Sequence, residues 1–312
     1  MNKNWKVCLI GLGSIGKRHI HNLSTLIKKS GDSLTLDLVR SNKGSSSNDM
    51  DFDVRYIFSY DDDLSELYDI IFVTNPTFMH YQTIRKYQWN TKSMFIEKPL
   101  FSDIKENIFE INKNCIFYIA CPIRYKKVIQ YIKNNINRDE ILSVISMCSS
   151  YLPNWRPKSD YRKCYSAHAI MGGGVSLDLI HEIDYVSFIL GKPTDIKNIR
   201  CHISDLEIDS DDVSVYLINY KNAISQIYLD YYGKKDIRKL ILFTKHDTIF
   251  ADLLNNTITF LCSDEIIRFD ESRDDFQIEE LAHFFKILNG EIPNDNNLEH
   301  AFETLKNSFG IL

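Results

Sequence analysis

The sequence predicts an α/β domain with a doubly wound parallel sheet, followed by an α+β domain with an open, mostly antiparallel sheet. In the first part, short and nearly continuous apolar runs alternate with segments of helical periodicity, which is typical of parallel strands covered by helices on both faces. After about residue 124, strand-like runs follow one another at hairpin distance, which indicates antiparallel neighbours. We therefore assign residues 1–123 to the first domain and residues 124–312 to the second.

The first domain contains apolar runs that predict its strands. These runs are Lys6–Ile10, Leu34–Val39, Ile70–Thr74, Met94–Ile96 and Ile116–Ala120. Between the first two, Ile20, Leu23 and Ile27 recur at helical spacing, and Gly31 marks the end of this helix. The stretch Ser41–Asp49 is rich in Ser and Asn and is predicted to be a loop.

The second domain begins with a helix at Lys126–Asn135 and a strand at Ile141–Ser150, after which a long polar and aromatic loop runs to Ile170. Further strands are predicted at Ile196–Ile203, Asp212–Tyr220, Ala223–Tyr231, Arg238–Thr244, Asp247–Leu253 and Thr257–Phe260, and helices at Phe276–Leu288 and Leu298–Ser308. Residues 220–222 and 254–256 have the length of hairpin turns. Because an open sheet leaves one face uncovered, we expect a homodimer or homotetramer that forms through it.

Composition and charge exclude several classes of protein. The chain of 312 residues has 25% charged residues and a formal net charge of −5 with no basic cluster, which argues against a nucleic-acid partner. No apolar run approaches the roughly 18 residues of a membrane helix. The cysteines form no Cys-x-x-Cys pair, so we expect free thiols in a reducing cytoplasm, and no ligand spacing supports a metal site.

A glycine pattern, Gly11-x-Gly13-x-x-Gly16, directly follows the first predicted strand and opens the first helix. This strand–turn–helix context is what the dinucleotide-binding fingerprint of the Rossmann fold requires. The glycines allow a tight turn and a close approach of the backbone to a pyrophosphate at the helix N-terminus, which Ser14 and Ile15 also border.

The end of the second strand predicts the cofactor preference. An NAD-preferring site offers Asp or Glu to the ribose hydroxyls there, whereas this chain has Arg40 and Ser41, followed by Asn42 and Lys43. Arg40 can fork onto a 2′-phosphate and Ser41 is a neutral donor, while Asp37 lies inside the strand. We therefore predict NADP(H) over NAD(H); the alternatives are use of NAD(H) and a merely exposed Arg40.

Two later strands end in residues suited to a cofactor crevice. Ile70–Thr74 runs into Asn75-Pro76, and Met94–Ile96 runs into Glu97-Lys98-Pro99. Ligands of open parallel sheets gather at the carboxyl ends of the strands, so both turns are predicted to border the crevice. The ammonium of Lys98 can hydrogen-bond a reacting oxygen and stabilise its alkoxide character.

A glycine run at residues 172–174 opens a predicted helix that carries Asp178 and His181. Residues three apart lie on one helical face, and the wheel has an apolar stripe of Leu179, Ile183, Val186 and Leu190 opposite Asp178, His181 and Tyr185. The imidazole has an unperturbed pKa of about 6.5, which suits a group that exchanges a proton near neutrality. His181 is therefore predicted to be the acid/base.

These motifs together resemble those of the Gfo/Idh/MocA family of NAD(P)-dependent oxidoreductases, named after glucose–fructose oxidoreductase, inositol dehydrogenase and rhizopine catabolism. The matching segments, in the family's order, are residues 11–19, Asn75-Pro76 with His80, Glu97-Lys98-Pro99, and Gly172 to Asp184. The resemblance implies that Lys98 touches cofactor and substrate, and that Asp178 and His181 line the substrate pocket with the histidine as acid/base. It also implies that His80 and Glu97 belong to the cofactor site.

The chain departs from the family pattern at one spacing. His181 lies three residues after Asp178, where the family usually has four, although His181-Glu182-Ile183-Asp184 keeps the usual register. A subgroup associated with sialic-acid-like and surface-polysaccharide sugars has the shorter spacing, and the stretch 150–157 resembles it. The family's Trp-Arg pair could correspond to Trp155-Arg156 or to Tyr161-Arg162.

The long loop before the glycine run suits a polyhydroxylated, anionic substrate, because aromatic rings stack on sugar faces and guanidinium groups fork onto carboxylate or phosphate. The alternative is a packing loop with snorkelling arginines. The predicted substrate-binding residues are Arg124, Tyr151, Trp155, Arg156, Arg162, Tyr165, Asp178 and His181.

The sequence thus predicts an enzyme that transfers a hydride between nicotinamide and a hydroxyl or keto carbon of a sugar or nucleotide sugar. Alternatives are an inositol or polyol dehydrogenase of the same fold and a non-catalytic NAD(P)-binding sensor. Retention of both Lys98 and His181 favours an enzyme.

Overall fold

The computed structural model describes residues 2–41, 53–106 and 110–312. The chain forms two compact units: unit 1 is Met1–Ala120 with Gln277–Ala301, and unit 2 is Cys121–Phe276 with Phe302–Leu312. The domain boundary at residue 123 stays a prediction, and the units differ from it because residues 277–301 group with unit 1. The predicted loop at Ser41–Asp49 lies, except for Ser41, outside the described residues, as do Asn42 and Lys43.

Unit 1 is built on a parallel sheet of six strands in the order β3-β2-β1-β4-β5-β6. The strands are β1 Asn4–Ile10, β2 Ser33–Arg40, β3 Ile57–Ser59, β4 Ile70–Val73, β5 Ser93–Ile96 and β6 Ile116–Ile119. Their central residues are almost entirely buried, as expected when helices cover both faces. The predicted doubly wound parallel sheet is confirmed; β3 was missed because three residues are too short for a periodic pattern.

Two helices follow strands of this sheet. Helix α1 (Ser14–Ser30) begins directly after β1 and buries Ile20, Leu23 and Ile27. It ends at Gly31, whose φ of 78° gives the left-handed cap that glycine adopts without strain. Helix α2 (His80–Tyr87) follows β4.

The C-terminal segment of unit 1 packs through aromatic rings. The ring of Phe284 lies 5.3 Å from Phe95 and 5.4 Å from Tyr118, and all three side chains are buried. Phe285 meets Trp5 edge-on at 4.7 Å. These contacts join residues 277–301 to β1, β5 and β6, which explains why the segment groups with unit 1 although it follows unit 2 in sequence.

Unit 2 is built on a sheet of eight strands in the order β14-β13-β12-β11-β7-β10-β9-β8. The strands are β7 Ile141–Tyr151, β8 Pro193–Cys201, β9 Val213–Tyr220, β10 Ile224–Asp230, β11 Tyr232–Thr244, β12 Thr248–Asp252, β13 Thr257–Phe260 and β14 Glu265–Arg268. Only β7 and β10 pair in parallel, so the sheet is mostly antiparallel as predicted. Both predicted hairpins form, between β9 and β10 and between β12 and β13.

The remaining helices are α3 (Lys127–Asn135), α4 (Val175–Asp178), α5 (His181–Leu190), α6 (Arg273–Leu288) and α7 (Leu298–Ser308). The prediction that one helix carries both Asp178 and His181 is wrong, because Leu179 and Ile180 form a turn between α4 and α5. Both turn residues are buried, as are five successive residues of α5, Glu182 to Val186. Asp178 and Tyr185, predicted to lie on a polar face opposite the apolar residues, are buried like them. The prediction of one apolar and one polar helix face is therefore wrong.

The sheet of unit 2 carries an apolar face on the side away from α4 and α5. The strand registers place Lys197, Gln226 and Lys239 on this face together with many apolar side chains. The apolar ones are exposed or half-buried: Ile145, Met147, Ile199, Val215, Leu217, Ile241, Phe243 and Phe250. Leu217 is 50% exposed and Ile199 is 71% exposed. Across the described residues, every helix is too short or too polar to cross a bilayer.

Candidate functional site

The predicted cofactor residues of unit 1 lie in one row along the sheet. Strands β2, β1, β4 and β5 are consecutive neighbours and all run parallel. Their carboxyl ends therefore meet at one edge, and this is where Arg40, Gly11, Thr74 and Lys98 follow their strands. The alignment is the arrangement expected of a nucleotide crevice in an open parallel sheet.

Two of the fingerprint glycines are required by the protein itself. Gly11 has φ of +93°, and a Cβ there would lie 2.6 Å from the backbone nitrogen of Asn75. A Cβ on Gly16 would lie 2.5 Å from the carbonyl oxygen of Gly11 and 2.8 Å from Oγ1 of Thr74. These glycines thus let the turn after β1 and helix α1 pack against the end of β4.

Gly13 differs from both. It has φ of −82°, a conformation open to any residue, and a Cβ built on it has nothing within 4 Å. It precedes α1 at a helix N-terminus that has no side-chain cap, where free N–H groups and the helix dipole favour an anion. Space and unfilled donors at this glycine fit the pyrophosphate of a dinucleotide, with Ser14 and Ile15 beside it.

At the end of β2, Asp37 is not available to a ribose. Its carboxylate is buried and accepts hydrogen bonds from Nε of Arg55 at 3.0 Å and from the Tyr68 hydroxyl at 2.7 Å. Burial alone raises the pKa of Asp37, but these hydrogen bonds outweigh it and hold the pKa below its usual value. Arg40 ends β2 and Ser41 follows as an exposed residue, so the strand end is basic and polar.

The turn after β4 contains one buried acceptor that lacks a donor. The Thr74 hydroxyl donates to the Gly11 carbonyl at 2.6 Å, which ties the turn to β1. The amide nitrogen of Asn75 donates to Oγ1 of Thr83 at 2.8 Å, whereas its Oδ1 is buried with no hydrogen-bond partner among the described residues. A ligand hydroxyl or amide at this turn would satisfy Oδ1.

His80 joins the turns after β4 and β5. Its Nε2 lies 3.0 Å from the Asn75 carbonyl, and its Nδ1 lies 3.1 Å from the Pro99 carbonyl and 3.2 Å from that of Leu100. The ring is only 1% exposed, and burial lowers the pKa of His80. This geometry gives His80 a structural position that supports the turns; direct contact with a cofactor stays a prediction.

Glu97 is held by a histidine from the fingerprint helix. Nε2 of His19, on α1, lies 2.5 Å from Oε1 of Glu97. Burial alone raises the pKa of Glu97, but its hydrogen bond to His19 and the charges of His19 and Lys98 outweigh burial, so the pKa lies below its usual value. The carboxylate is therefore ionised at neutral pH beside the Lys98 ammonium, and Lys98 itself is half-buried.

In unit 2 the glycine run is imposed by packing. Gly174 has φ of +115°, and a Cβ there would collide with the carboxylate of Asp211. The same carboxylate accepts from the Ser176 backbone N–H at 2.9 Å and from Nε of Arg200 at 2.9 Å. Asp211 thus caps α4, so the run is a fixed turn and not a flexible opening. This role of Asp211 could not be predicted from local sequence, because Asp211 lies more than thirty residues further along.

Asp178 is buried, and two tyrosines hydrogen-bond its carboxylate. The Tyr231 hydroxyl donates to its Oδ2 at 2.5 Å. The Asp178 charge and burial raise the pKa of Tyr165, which also hydrogen-bonds this carboxylate. Burial and then the Asp178 charge raise the pKa of Tyr231 likewise. Both tyrosines therefore stay protonated donors and Asp178 is fixed in orientation. Tyr231 was missed in the sequence because it stands at a strand end with no distinguishing pattern.

His181 begins α5, with its side chain half-buried, and two residues separate it from the end of α4. The predicted substrate residue Arg124 lies against the same helix, where its Nε and Nη2 fork onto Asp184 at 2.8 and 2.6 Å. That bidentate pair is buried. Arg124 therefore already serves to hold α5, and its contact with substrate stays a prediction.

The loop between β7 and α4 contributes two further predicted residues, Trp155 and Arg156, near Asp178. The indole of Trp155 meets the Tyr231 ring edge-on at 5.3 Å, and its Nε1 donates to Ser150 at 2.9 Å. The Arg156 guanidinium lies 5.5 Å from the Tyr165 ring. Arg162, in contrast, is exposed and pairs with Asp160 and Glu207. Residues 155 and 156 therefore contact the two tyrosines that hydrogen-bond Asp178, whereas Arg162 of the alternative pair does not.

Tyr151 lies in a separate cavity of about 480 Å³ at one end of the sheet. The cavity is lined by Tyr151, Tyr161, Ile203, Ser204, Asp205, Leu206, Tyr232 and Lys234. The Lys234 ammonium lies 3.5 Å above the Tyr151 ring. The volume of the cavity falls in the range of small-ligand sites. Its tyrosine rings, together with Lys234 as a base and Asp205 as an acid, suit a polyhydroxylated molecule.

Substitution by alanine should lower stability strongly at Gly174 of unit 2 and hardly at all at Gly13 of unit 1. Gly174→Ala should destabilise the protein by roughly 2–4 kcal/mol, because it combines a strained φ with a clash against a buried carboxylate. Gly13→Ala is the matched control and should change stability by about 0.5 kcal/mol or less, since nothing surrounds its Cβ. Urea unfolding followed by circular dichroism measures both. Equal losses would contradict the packing account.

Comparison with known proteins agrees with this geometry. Residues 5–113 match the Gfo/Idh/MocA model, described as the oxidoreductase family with an NAD-binding Rossmann fold. Over 132 residues the chain is 26% identical to 2,7-anhydro-N-acetylneuraminate hydratase of Escherichia coli (strain K12), which covers 41% of this chain and 35% of the relative. The chain thus matches well under two thirds of that relative's length.

Solved structures share the fold over nearly the whole chain. The WlbA dehydrogenase from Bordetella pertussis, solved with NADH and UDP-GlcNAcA, superposes with a TM-score of 0.75 at 15% identity, covering 99% of this chain and 95% of that one. Levoglucosan dehydrogenase, solved with NADH and levoglucosan, gives 0.82 at 14% identity, with 99% and 96% covered. The family model covers residues 5–113, so this part of the chain has the NAD-binding Rossmann fold of the Gfo/Idh/MocA oxidoreductases, and the solved structures share the fold of the remainder.

Proposed function

We propose that the protein is an NAD(P)-dependent oxidoreductase that acts on a hydroxyl or keto carbon of a sugar or nucleotide sugar. The main observation behind the proposal is Gly13, at a helix N-terminus without a side-chain cap. Its backbone conformation would accept any residue, and a Cβ there would touch no neighbour, so packing within the protein does not explain the glycine. Such a position fits a dinucleotide pyrophosphate. Lys98 in unit 1 and the Asp178–His181 pair in unit 2 supply groups for proton transfer.

The chain's own residues have distinct roles in this proposal. Hydride exchange at carbon is the chemistry that a bound nicotinamide supplies. His181 takes the proton of the substrate hydroxyl, or returns it in reduction, and Lys98 polarises the same oxygen. Asp178 accepts a hydrogen bond from a neighbouring substrate hydroxyl, and its orientation is set by Tyr231 and Tyr165. Ser14, Ile15, Thr74, Asn75 and Pro76 border the cofactor, as Gly11, Gly13 and Gly16 do.

The substrate class is supported by the loop chemistry and by the relatives. Trp155, Arg156 and Tyr165 offer rings and a guanidinium beside Asp178. The similar proteins include one named for a sialic-acid derivative and structures solved with levoglucosan or UDP-GlcNAcA. A sugar is therefore the substrate we would test first. A non-catalytic sensor would bind the dinucleotide but show no turnover on any sugar of a panel.

We propose that NADPH binds more tightly than NADH, because Arg40 stands where an acid would bind the ribose. Arg40→Asp should invert the preference, with a swing of about 1.5–3 kcal/mol for the charged hydrogen bond that is lost. Fluorescence titration with both nucleotides measures this. Lys29→Asp, with the same charge change at the far end of α1, is the control. Equal affinities in the parent protein would remove the basis for the preference.

His181→Asn should abolish turnover and leave NADPH affinity almost unchanged. The loss should appear in kcat, on the order of 100-fold or more for a general base. Lys98→Met should reduce turnover as strongly and also weaken cofactor binding, whereas Asp178→Asn should be milder and appear partly in KM. His246→Asn, at an exposed turn of unit 2, is the control. A His181→Asn protein that keeps activity and the same ionisation near neutrality would disprove the assignment.

We propose a homodimer or homotetramer that buries the apolar face of the unit 2 sheet. Leu217→Lys places a charge in the middle of that face and should dissociate the oligomer to its 36.5 kDa chain. Leu254→Lys is closely matched, because Leu254 is 51% exposed but lies in the hairpin turn between β12 and β13. Light scattering after gel filtration reports the mass. A parent protein that is monomeric at micromolar concentration would refute the proposal.

A further inference from the structure

Glu182 directly follows His181 and is completely buried in the first turn of α5. Both oxygens of its carboxylate are occupied. Oε1 accepts from Nε of Arg238 at 2.8 Å and lies 2.7 Å from the Nη2 of the same guanidinium. Oε2 accepts from the Ser146 hydroxyl at 3.1 Å and from the Tyr185 hydroxyl. The side chain is therefore held by three residues on three elements.

Those partners connect the start of α5 to the centre of the sheet. Ser146 lies on β7 and Arg238 on β11, and these strands are adjacent, with Arg238 opposite Cys148. Tyr185 comes from the next turn of α5 itself. The network therefore fixes the first turn of the helix against two strands at once.

The first turn of α5 needs such a fixing element. The helix starts after a two-residue break and has no side-chain hydrogen bond at its N-cap. The N–H groups of Glu182 and Asp184 donate to the carbonyls of Leu179 and Ile180 at 3.1 Å. A helix end without a side-chain cap nevertheless frays more readily than a helix interior. His181 is the first residue of this helix, so any fraying would displace its imidazole.

A buried ion pair is a poor means of gaining stability alone. Apolar side chains of similar volume are often as stabilising, since both charges must be removed from water. Both oxygens of the Glu182 carboxylate nevertheless accept hydrogen bonds, and the pair lies one residue from His181. A geometric role accounts for its position better than a contribution to stability does.

The groups that face Glu182 are hydrogen-bond donors and a thiol. Although burial alone lowers the pKa of Arg238, the Glu182 charge outweighs burial and raises it. Burial and then Glu182 raise the pKa of Tyr185. The neighbouring Cys148 is buried too, and burial raises its pKa to about 12. The guanidinium is thus charged, and the phenol and the thiol are neutral, throughout the physiological range.

We propose that Glu182 and Arg238 are a positioning pair that fixes the imidazole of His181 at the start of α5. Neither side chain is assigned contact with substrate or cofactor. The inference deepens the proposed function, since it concerns the residue assigned there as acid/base. Its structural part, a fixed His181 ring, can be tested without any turnover.

The test compares double variants that each remove one buried ion pair from unit 2. Glu182→Gln with Arg238→Met removes the proposed pair while keeping side-chain volume. Lys126→Met with Glu271→Gln is the control, because that pair is at least as buried, with Nζ and Oε2 3.1 Å apart, and lies outside α5. With only nine histidines, selective histidine labelling gives a simple NMR spectrum, and His181→Asn identifies the His181 signal.

We expect the Glu182/Arg238 double variant to broaden the His181 ring signal and to shift its titration midpoint by about 0.5 pH unit or more. The control should do neither. If the double variant does not fold, Arg238→Lys keeps the charge but loses the fork, and a smaller shift of the same kind is expected. An unchanged His181 signal and titration in a folded variant would overturn the proposal.

A kinetic arm uses the best sugar from the panel and the holoenzyme. The pair variant should lose kcat by about 10-fold or more, with a displaced pH profile of kcat/KM and little change in NADPH affinity. The control should keep its pH profile even if its melting temperature falls. If the parent shows no turnover, the proposed function fails while the NMR result still decides the positioning role. A pH profile identical to the parent's, in an active variant, would count against the pair.

Discussion

The cost of burying an unpaired carboxylate governs the local structure of both candidate sites. A carboxylate removed from water must be matched by donors or by a cation. The chain buries acids repeatedly near its motifs, and each has acquired partners from a different element: Asp37, Glu97, Asp178, Glu182, Asp184 and Asp211. These pairings fix the strand ends and the helix starts. The residues proposed for chemistry stand directly beside them in sequence.

The pairing constraint also explains why the sites are rigid before any ligand arrives. Lys98 follows Glu97, which is tied to His19, and His181 precedes Glu182, which is tied to Arg238. In both places a carboxylate side chain one residue away is hydrogen-bonded to another element. The reactive group can therefore be half-exposed while its backbone is held, which is the condition for preorganised electrostatic catalysis.

The elements that depend on local periodicity could be predicted from the sequence. Those that depend on partners distant in the chain could not. Five of the six strands of unit 1 and the two hairpins of unit 2 follow from apolar runs and turn lengths, and these were predicted within a few residues. The break between Asp178 and His181 was not, because it depends on burial of Leu179 and Ile180 from all sides. Tyr231 and Asp211 reach the site from elsewhere in the chain, and no pattern around either residue marks them. Short edge strands were missed since three or four residues carry no period.

The return of residues 277–301 to unit 1 has a consequence for how the chain can be produced and folded. The nucleotide-binding sheet is synthesised first, but its aromatic layer at Phe95 and Tyr118 is completed only when Phe284 has been made. A nascent chain released early, or a fragment cut after residue 123, would present these rings to water and to other chains. Such long-range closure slows folding and favours aggregation of intermediates. The N-terminal half is therefore an unsuitable unit for separate expression, despite containing every strand of its sheet.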